Sequence, residues 1–257
     1  MVTFETKVWE NDWEYILKGD YLEKMIAFCD YHFHHKHLII NNVKNRRLVE
    51  RYCHLKKKQG VIDAYYFTED FSDEVMAHFG IVPGSFNGGY VYSISELLGI
   101  YKCETAFLLH FSSDSLLIRN NEWISTAISL MNSNEDYFVA NPTWNLKFQE
   151  AENESFGQTA DFYTGYGFSD QCYLIRKTDF DQQIYNEKNV LSERYPKYGG
   201  ELFEKRVDAY MRNHHKFRLT HKKASYLSAN FPSGWADKKI FRNSILQKRL
   251  DSRIDCK

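Results

Sequence analysis

The chain has 257 residues, of which 43% are hydrophobic and 16% aromatic, so it is long enough to bury a sizeable core. Its 33 Lys and Arg residues against 34 Asp and Glu give a formal net charge of -1, which excludes a global attraction to nucleic acid or anionic lipid. Five scattered cysteines without a CxxC pair indicate neither a disulfide framework nor a zinc knuckle. No apolar stretch approaches the roughly 20 residues of a membrane span, so the predicted location is the cytoplasm, at most peripheral to a membrane.

Short apolar runs alternate with helix-like segments, which is the pattern of a mostly parallel sheet covered by helices. The predicted strands are residues 1–8, 37–43, 64–68, 106–111, 137–140 and 172–176. The predicted helices are residues 12–28, a helix that starts at Ser93 with Glu96 in capping-box spacing, residues 121–131 and residues 201–211. We therefore expect one α/β domain over residues 1–229 and a short helical extension over residues 230–257.

The strand predicted over residues 106–111 runs directly into Ser112, Ser113 and Asp114. In open α/β sheets, ligands bind beyond the carboxyl ends of the strands, so a carboxylate there is well placed to hold a metal and phosphates. Asp114 is accordingly the first candidate metal ligand. The alternative is a turn or helix-capping role, which is common for Asp at such positions.

Several segments resemble the GT-A nucleotide-sugar glycosyltransferases, especially the inverting, family-two-like enzymes of surface-polysaccharide assembly. The sequence VTFETKVWENDW at residues 2–13 is similar to the first strand and donor-binding loop of that family, and IINNV at residues 39–43 to its second strand. The segment GGYVYSISELLGIY at residues 88–101 resembles the glycine-led helix that precedes the metal strand. Residues 110–115 fall at the DxD motif, where Ser112 replaces the first acidic residue. The resemblance covers roughly residues 1–225.

The resemblance implies a GT-A (Rossmann-like) fold and a hexosyl- or deoxyhexosyl-transferring glycosyltransferase. Such an enzyme would transfer a sugar with inversion from a nucleotide diphosphate sugar to a hydroxyl of a glycan or glycolipid acceptor. It would use Mn²⁺ or Mg²⁺ to neutralise the charge on the leaving diphosphate. One carboxylate can still hold such an ion if the diphosphate and water supply the other oxygen ligands.

The donor and metal sites are predicted from the same segments. The loops that would frame the nucleotide provide Thr6, Lys7, Trp9, Glu10, Asp12, Asn41, Asn42, Ser93, Ser112 and Ser113. Trp9 has the alternative role of packing with Trp13 at a helix start. The resemblance also implies late histidines at the metal or diphosphate, for which the candidates are His214, His215 and His221; the alternative is a solvated basic face.

Inverting transfer needs a general base that takes the proton of the acceptor hydroxyl. The resemblance implies Glu201, within GGELFEKRV, or Asp170, within GFSDQCY, and the sequence leaves both open. Either residue has a structural alternative, Glu201 in the first turn of a helix and Asp170 in a turn. Trp144 and Asn145 follow a predicted strand and are the candidates for an acceptor-binding wall, since aromatic faces suit the C–H surface of sugars.

The segment 237–257 is locally basic, and Leu246, Leu250 and Ile254 form a narrow apolar stripe. Docking onto the parent domain is the favoured interpretation, and contact with an anionic membrane surface is the alternative.

Two rival functions remain at this point. A sugar-phosphate nucleotidyltransferase would ordinarily show a glycine-rich loop near residues 3–12, and none is present. A noncatalytic nucleotide- or sugar-binding module is suggested by Ser112 in place of an acid.

Overall fold

The computed structural model describes residues 1–228, which form one mixed sheet of ten strands flanked by nine α-helices. The predicted α/β class is confirmed. The strands are β1 Val2–Val8, β2 His35–Ile40, β3 Ala64–Phe67, β4 Phe107–Phe111, β5 Ser115–Arg119, β6 Tyr137–Trp144, β7 Gly157–Gln158, β8 Phe162–Gly165, β9 Cys172–Arg176 and β10 Phe217–Ser228. The helices are α1 Trp13–Lys18, α2 Tyr21–Phe28, α3 Arg46–Lys58, α4 Ser72–His78, α5 Ile94–Lys102, α6 Trp123–Ser133, α7 Phe148–Asn153, α8 Lys177–Phe180 and α9 Phe203–Asn213.

The strand order is β3-β2-β1-β4-β9-β6-β10-β8-β7, and β5 pairs with β10. Strands β3, β2, β1 and β4 are mutually parallel, whereas β9 is antiparallel to both of its neighbours, β4 and β6. Because β9 runs in reverse, its first residue pairs with the last residue of β4, in the register Phe111↔Cys172. The carboxyl ends of β1, β2 and β4 therefore meet the loop that precedes β9 at one edge of the sheet.

Strand β4 shows why the centre of the sheet has a mostly apolar sequence, interrupted in this strand only by His110. All five of its residues are buried, since helices cover both faces of the sheet. Successive side chains point to opposite faces. Leu108 accordingly packs with Ile39 and Tyr173 in one core, while Leu109 packs with Phe4 and Trp123 in the other.

The helix predicted over residues 12–28 is split in two by Gly19, whose backbone is extended at φ -111° and ψ -153°. The strand predicted over residues 137–140 continues to Trp144 through Pro142, which pairs with His221 of β10 next to a register shift between His221 and Ser225. Strands β5, β7, β8 and β10 and helices α3, α4, α7 and α8 were not among the predicted elements.

The predicted capping box at Ser93 is wrong. The Ser93 hydroxyl donates to the carbonyl of Gly89 at 2.8 Å and accepts the backbone N–H of Phe203 at 2.9 Å, so it joins the loop at Gly89 to the start of α9 rather than capping α5. Glu96 does not reach back to the helix start, because its carboxylate contacts Lys7 on β1.

The predicted domain boundary at residue 229 and the basic segment with its membrane alternative lie outside the described residues. Among the helices of residues 1–228, none has the length and apolarity that crossing a membrane requires.

Candidate active site

Two cavities open side by side at the carboxyl edge of the sheet. The first has a volume of about 620 Å³ and is lined by the ends of β1, β2 and β4, the segment 91–95 and the loop before β9. Its lining residues are Lys7, Val8, Trp9, Asn11, Asp12, Asn41, Asn42, Val91, Tyr92, Ser95, Ser112, Ser113, Asp114, Asp170 and Gln171. The second has a volume of about 610 Å³ and is lined mainly from β6, β10, α7 and the start of α9. Its polar and aromatic lining includes Tyr92, Asn141, Trp144, Lys147, Glu150, Glu154, Asp170, Tyr198, Glu204 and Arg218.

Asp170 lies on the wall that the two cavities share. Together with Tyr92 and Gln171 it lines both of them. Its side chain is 34% exposed, so the carboxylate is accessible from the cavities. A group bound in one cavity is therefore separated from a group in the other by the width of a few side chains.

The tip of β4 presents Asp114 to the first cavity. The Ser112 hydroxyl donates to Asp114 Oδ1 at 2.8 Å, and the Ser112 backbone N–H donates to the carbonyl of Gln171 at 2.9 Å. Burial raises the pKa of Asp114, and the hydrogen bond from Ser112 only partly opposes this. The serine that stands at the first acidic position of the motif thus holds the remaining carboxylate in place.

The loop after β1 is tied to the same tip. Asp12 Oδ1 accepts the backbone N–H of Trp9 at 2.8 Å, while its other oxygen accepts the hydroxyl of Ser113. Trp9 is 48% exposed beside this turn and presents a ring to the cavity. It is Trp13 that is buried, where its ring packs against Tyr52.

The end of β2 supplies the opposite wall. The amide of Asn41 donates to the carbonyl of Val91 at 2.7 Å and accepts the Thr68 hydroxyl at 3.2 Å. Asn42 has a left-handed φ of 51°, and its backbone N–H donates to Glu69 at 3.3 Å. These bonds hold both residues against the cavity.

Comparison with known proteins identifies the fold of this chain through solved structures, and it finds no relative by sequence. No protein-family model matches the chain, and no curated protein matches it in sequence. The galactosyltransferase LgtC, solved with donor and acceptor sugar analogs, is 13% identical over 85% of this chain and 72% of its own, with a TM-score of 0.44. Glucosyl-3-phosphoglycerate synthase from Mycobacterium tuberculosis, solved with Mn²⁺, UDP and phosphoglyceric acid, is 10% identical over 98% of this chain and 78% of its own, with a TM-score of 0.48.

GalNAc-T7, solved with UDP, GalNAc and Mn²⁺, is 8% identical and gives a TM-score of 0.54 over 91% of this chain. The fold is GT-A. The match covers only 45% of the GalNAc-T7 chain, so this chain spans less than half of that protein's length. At such low identity the likeness concerns the GT-A fold alone.

The charges of the first cavity bear on whether this GT-A fold suits a metal. Among the described residues that line it, the charged side chains are Lys7, Asp12, Asp114 and Asp170. Lys7 already contacts the carboxylate of Glu96 and lies 3.5 Å from Asp170. A nucleotide diphosphate entering alone would meet an excess of negative charge, which a divalent cation would offset.

The protein itself supplies few ligands for such an ion. Within residues 1–228, no three His, Cys, Asp or Glu side chains are grouped so that they could hold a metal. Asp114, with its ionised form disfavoured by burial, fits an ion that arrives with the oxygen ligands of a diphosphate. The residues present therefore suit a shared protein–donor site rather than a preformed cage.

The three predicted histidines are not brought to this cavity. His214 contacts the carboxylate of Glu187 at 2.7 Å, and His215 lies 3.4 Å from the Tyr166 hydroxyl. His221 is buried and accepts the backbone N–H of Ala224 at 2.7 Å, and burial lowers its pKa to about 4. None of the three histidines lines either cavity, although the backbone carbonyl of His221 accepts the hydroxyl of Thr143, which lines the second.

Five other predicted residues also lie outside the two linings. Thr6 and Ser93 are buried in the fold. Glu10 accepts the backbone N–H of Lys44 at 2.8 Å, and Asn145 exchanges hydrogen bonds with the backbone of Ser228 at 3.3 and 3.0 Å. Glu201 precedes α9 and contacts Lys205 at 2.9 Å. The remaining predicted side chains of the donor wall, with Asp114, Asp170 and Trp144, are brought together at the cavities.

Glu204 is the site residue that sequence reasoning missed. It lies in the first turn of α9 and lines the second cavity beside Asp170. Burial and the negative charge of Asp170 raise the pKa of Glu204 to about 8. Because α9 begins at Phe203 and not at Glu201, the acid in its first turn is Glu204, and the spacing within GGELFEKRV does not reveal where the helix begins.

Proposed function

We propose that this chain is a glycosyltransferase that moves a sugar from a nucleotide diphosphate donor to a hydroxyl of an acceptor glycan. The observation that carries the proposal is the position of Asp170 on the wall shared by two cavities of similar size. Transfer between two substrates requires two adjoining sites with a proton acceptor between them. A module that only binds one ligand needs no second cavity at that wall.

The donor belongs in the first cavity. Trp9 offers a ring for stacking, and the wall at Asn41 and Asn42 suits the polar edge of a base or ribose. The diphosphate would lie toward Asp114. The Asp114 carboxylate and the oxygens of the diphosphate would together hold Mn²⁺ or Mg²⁺. When bound, that ion supplies positive charge that stabilises the departing nucleoside diphosphate.

The acceptor belongs in the second cavity. Trp144, Tyr92 and Tyr198 are 38%, 55% and 88% exposed and line it, so they offer aromatic faces to sugar rings. Lys147 lies 4.3 Å from the ring centroid of Trp144 and helps to fix it.

Asp170 is the proposed base, and Glu201 stays an untested alternative. In a single displacement, the acceptor oxygen forms a bond to the anomeric carbon as the bond from that carbon to the diphosphate oxygen breaks. The bonding electrons leave with the nucleoside diphosphate, and the acceptor proton passes to Asp170. One base and one displacement give inversion at the anomeric carbon. The hexosyl or deoxyhexosyl identity of the sugar and a place in polysaccharide assembly remain predictions from the family resemblance, and the cytoplasmic location remains a prediction from the composition of the sequence.

The test is a panel of nucleotide sugars with Mn²⁺, measuring release of nucleoside diphosphate with and without simple glycoside acceptors. We expect slow release with at least one donor, acceleration by a matching acceptor, and loss of the acceleration in Asp170→Asn. Binding of a nucleotide sugar without any release would instead identify a noncatalytic module. Release of pyrophosphate from a nucleoside triphosphate and a sugar phosphate would identify a nucleotidyltransferase.

A further inference from the structure

The charged side chains of the second cavity are unevenly divided between acids and bases. Among the described residues that line it, the acids are Glu150, Glu154, Asp170 and Glu204, and the bases are Lys147 and Arg218. Even with Glu204 protonated, as its raised pKa favours, the carboxylates still outnumber the cations. The cavity that we assign to the acceptor is therefore acidic.

Both cations of this lining already contact carboxylates of the same cavity. Lys147 Nζ lies 2.8 Å from Glu150 Oε2, and Arg218 Nη2 lies 3.3 Å from Glu154 Oε2. A negatively charged ligand would have to displace one of these carboxylates before it could pair with either cation. The lining therefore offers such a ligand no cation that is ready to receive it.

Three cations next to this lining are also engaged by carboxylates. Lys7 lines only the first cavity, where its ammonium contacts the buried carboxylate of Glu96. Lys205 contacts two other carboxylates, at 2.9 and 3.0 Å. Arg194 lies beside Arg218 and contacts the buried carboxylate of Asp208 at 3.8 Å. None of the three is placed to offset the acidity of the second cavity.

The polar atoms that the second cavity leaves unused are hydrogen-bond acceptors. Asn141 lines the cavity and is only 9% exposed. Its amide N–H donates to the carbonyl of Pro142 at 2.9 Å, whereas its Oδ1 has no hydrogen-bond partner among the described residues. Ionised carboxylates likewise only accept hydrogen bonds. A ligand that matches these groups must therefore bring donors.

An uncharged sugar meets both requirements. Its hydroxyl groups can donate to carboxylates, which gives strong, charge-assisted hydrogen bonds. Its C–H faces can lie on the exposed rings of Trp144 and Tyr198. A sugar with a carboxylate or phosphate group would instead bring more acceptors and a further negative charge, and like charges placed together are strongly unfavourable.

We propose that the acceptor sugar in the second cavity is uncharged, and that the cavity rejects sugars that carry a carboxylate or phosphate there. The inference rests on the proposed function, because that function assigns the acceptor to this cavity. It adds a substrate class that the proposed function leaves open.

The experiment compares ligands of nearly the same shape that differ in charge. Methyl glucuronide, which is ionised at pH 7, is paired with its uncharged amide, and the galacto and manno pairs are treated in the same way. Binding to the intact chain is measured without donor, by saturation-transfer NMR at low salt. We expect the amide of at least one pair to bind at least about tenfold more tightly than its acid. Added salt should narrow the difference, because it screens the exposed carboxylates.

Three variants locate the preference. Glu154→Gln removes one carboxylate and frees the guanidinium of Arg218, so it should lower the preference for the amide at least about threefold. The matched control is Glu14→Gln, because Glu14 is similarly exposed, contacts Lys18 at 2.9 Å and lines neither cavity. It should leave the preference unchanged. Trp144→Ala should weaken binding of the amide about 2- to 10-fold, which would place the ligand in the second cavity.

The outcomes that overturn the proposal are distinct from those that overturn the proposed function. The proposal fails if the acid of a binding pair binds as tightly as its amide, or if none of the amides binds. It also fails if Glu154→Gln and Glu14→Gln change the preference equally, or if Trp144→Ala leaves binding of the amide unchanged. If the amides bind preferentially but no nucleotide sugar is turned over, the proposed function fails and the charge preference stands. If sugar is transferred to the acids more readily than to the amides, the proposed function stands and this inference fails.

Discussion

The two cavities are built in different ways. The first is formed mainly at the carboxyl ends of the parallel strands β1, β2 and β4, with further residues from the segment 91–95 and from the loop before β9. The second draws on β6, β10, α7 and the start of α9, from Asn141 to Tyr226. In the parallel part of the sheet, ligand-facing residues lie beyond the carboxyl ends of the strands, as they generally do in α/β sheets. The residues of the second cavity are instead brought together by strand pairings that are specific to this chain. If the donor and acceptor are divided between the cavities as proposed, damage to one side should leave the other side's binding intact.

The largest effect is expected at the shared wall. Asp170→Asn should lower kcat by about 10²- to 10⁴-fold, because the proposed general base is lost. Nucleotide binding, measured by calorimetry, should change little, since the asparagine keeps the shape of the wall. A variant that retains wild-type kcat would rule out Asp170 as the base.

Asp114→Asn tests the donor side. Loss of an outer-shell partner already weakens metal binding by about 10–100-fold, so loss of the ligand itself should weaken Mn²⁺-dependent nucleotide binding by at least about 100-fold. Binding of an acceptor glycoside should remain, as followed by saturation-transfer NMR. Equal Mn²⁺ dependence in variant and wild type would show that the carboxylate does not hold the ion.

Trp144→Ala tests the acceptor side. An aromatic contact is worth about 0.5–1.5 kcal/mol, so the acceptor KM should rise about 2- to 10-fold. Acceptor-independent donor hydrolysis should stay unchanged, and Trp9→Ala serves as the matched variant with the opposite pattern. Identical effects of the two substitutions on donor KM would contradict the division between the cavities.

Glu204→Gln tests the raised pKa of Glu204 through the pH dependence of the free energy of unfolding. Because the pKa of Glu204 is raised in the folded protein from 4.5 to about 8, its contribution to the free energy of unfolding is fully present below pH 4.5 and is lost as the pH rises through about 8. The variant should therefore gain stability relative to the wild type between these limits, as measured by urea midpoints at several pH values. A difference that is constant with pH would show that Glu204 has an ordinary pKa.

The smallest effect is expected at the late histidines. His214→Gln should change Mn²⁺-dependent activity by less than about twofold, since His214 contacts Glu187 at the surface and exposed ion pairs contribute little. A large loss of Mn²⁺ affinity in this variant would show that His214 does contribute to the metal site.

The difference between the cavities also explains what the sequence could predict. The strands β1, β3, β4 and β9 lie at their predicted positions within a residue or two. Lys7 lies one residue before the end of β1, and Asp12, Asn41 and Asp114 follow strand ends, so their meeting at one edge was predictable. Trp144 was predicted by its position after a strand. Glu204 was missed because its role depends on where α9 begins and on Asp170 lying opposite, neither of which is visible in local spacing. Strand β10 was missed because its polar, basic sequence RLTHKK lacks the alternation by which a strand is recognised.

The position of β10 has a consequence for the order in which the molecule is completed. This strand lies between β6 and β8 and also pairs with β5, although it ends at Ser228. During synthesis, domains form from the amino terminus as the chain emerges. The parallel strands β1, β2, β3 and β4 can pair early. The part of the sheet that contains β6 and β8 lacks the strand between them until residue 228 has left the ribosome. Nascent chains arrested before that point should form the first cavity but lack the β10 residues that line the second.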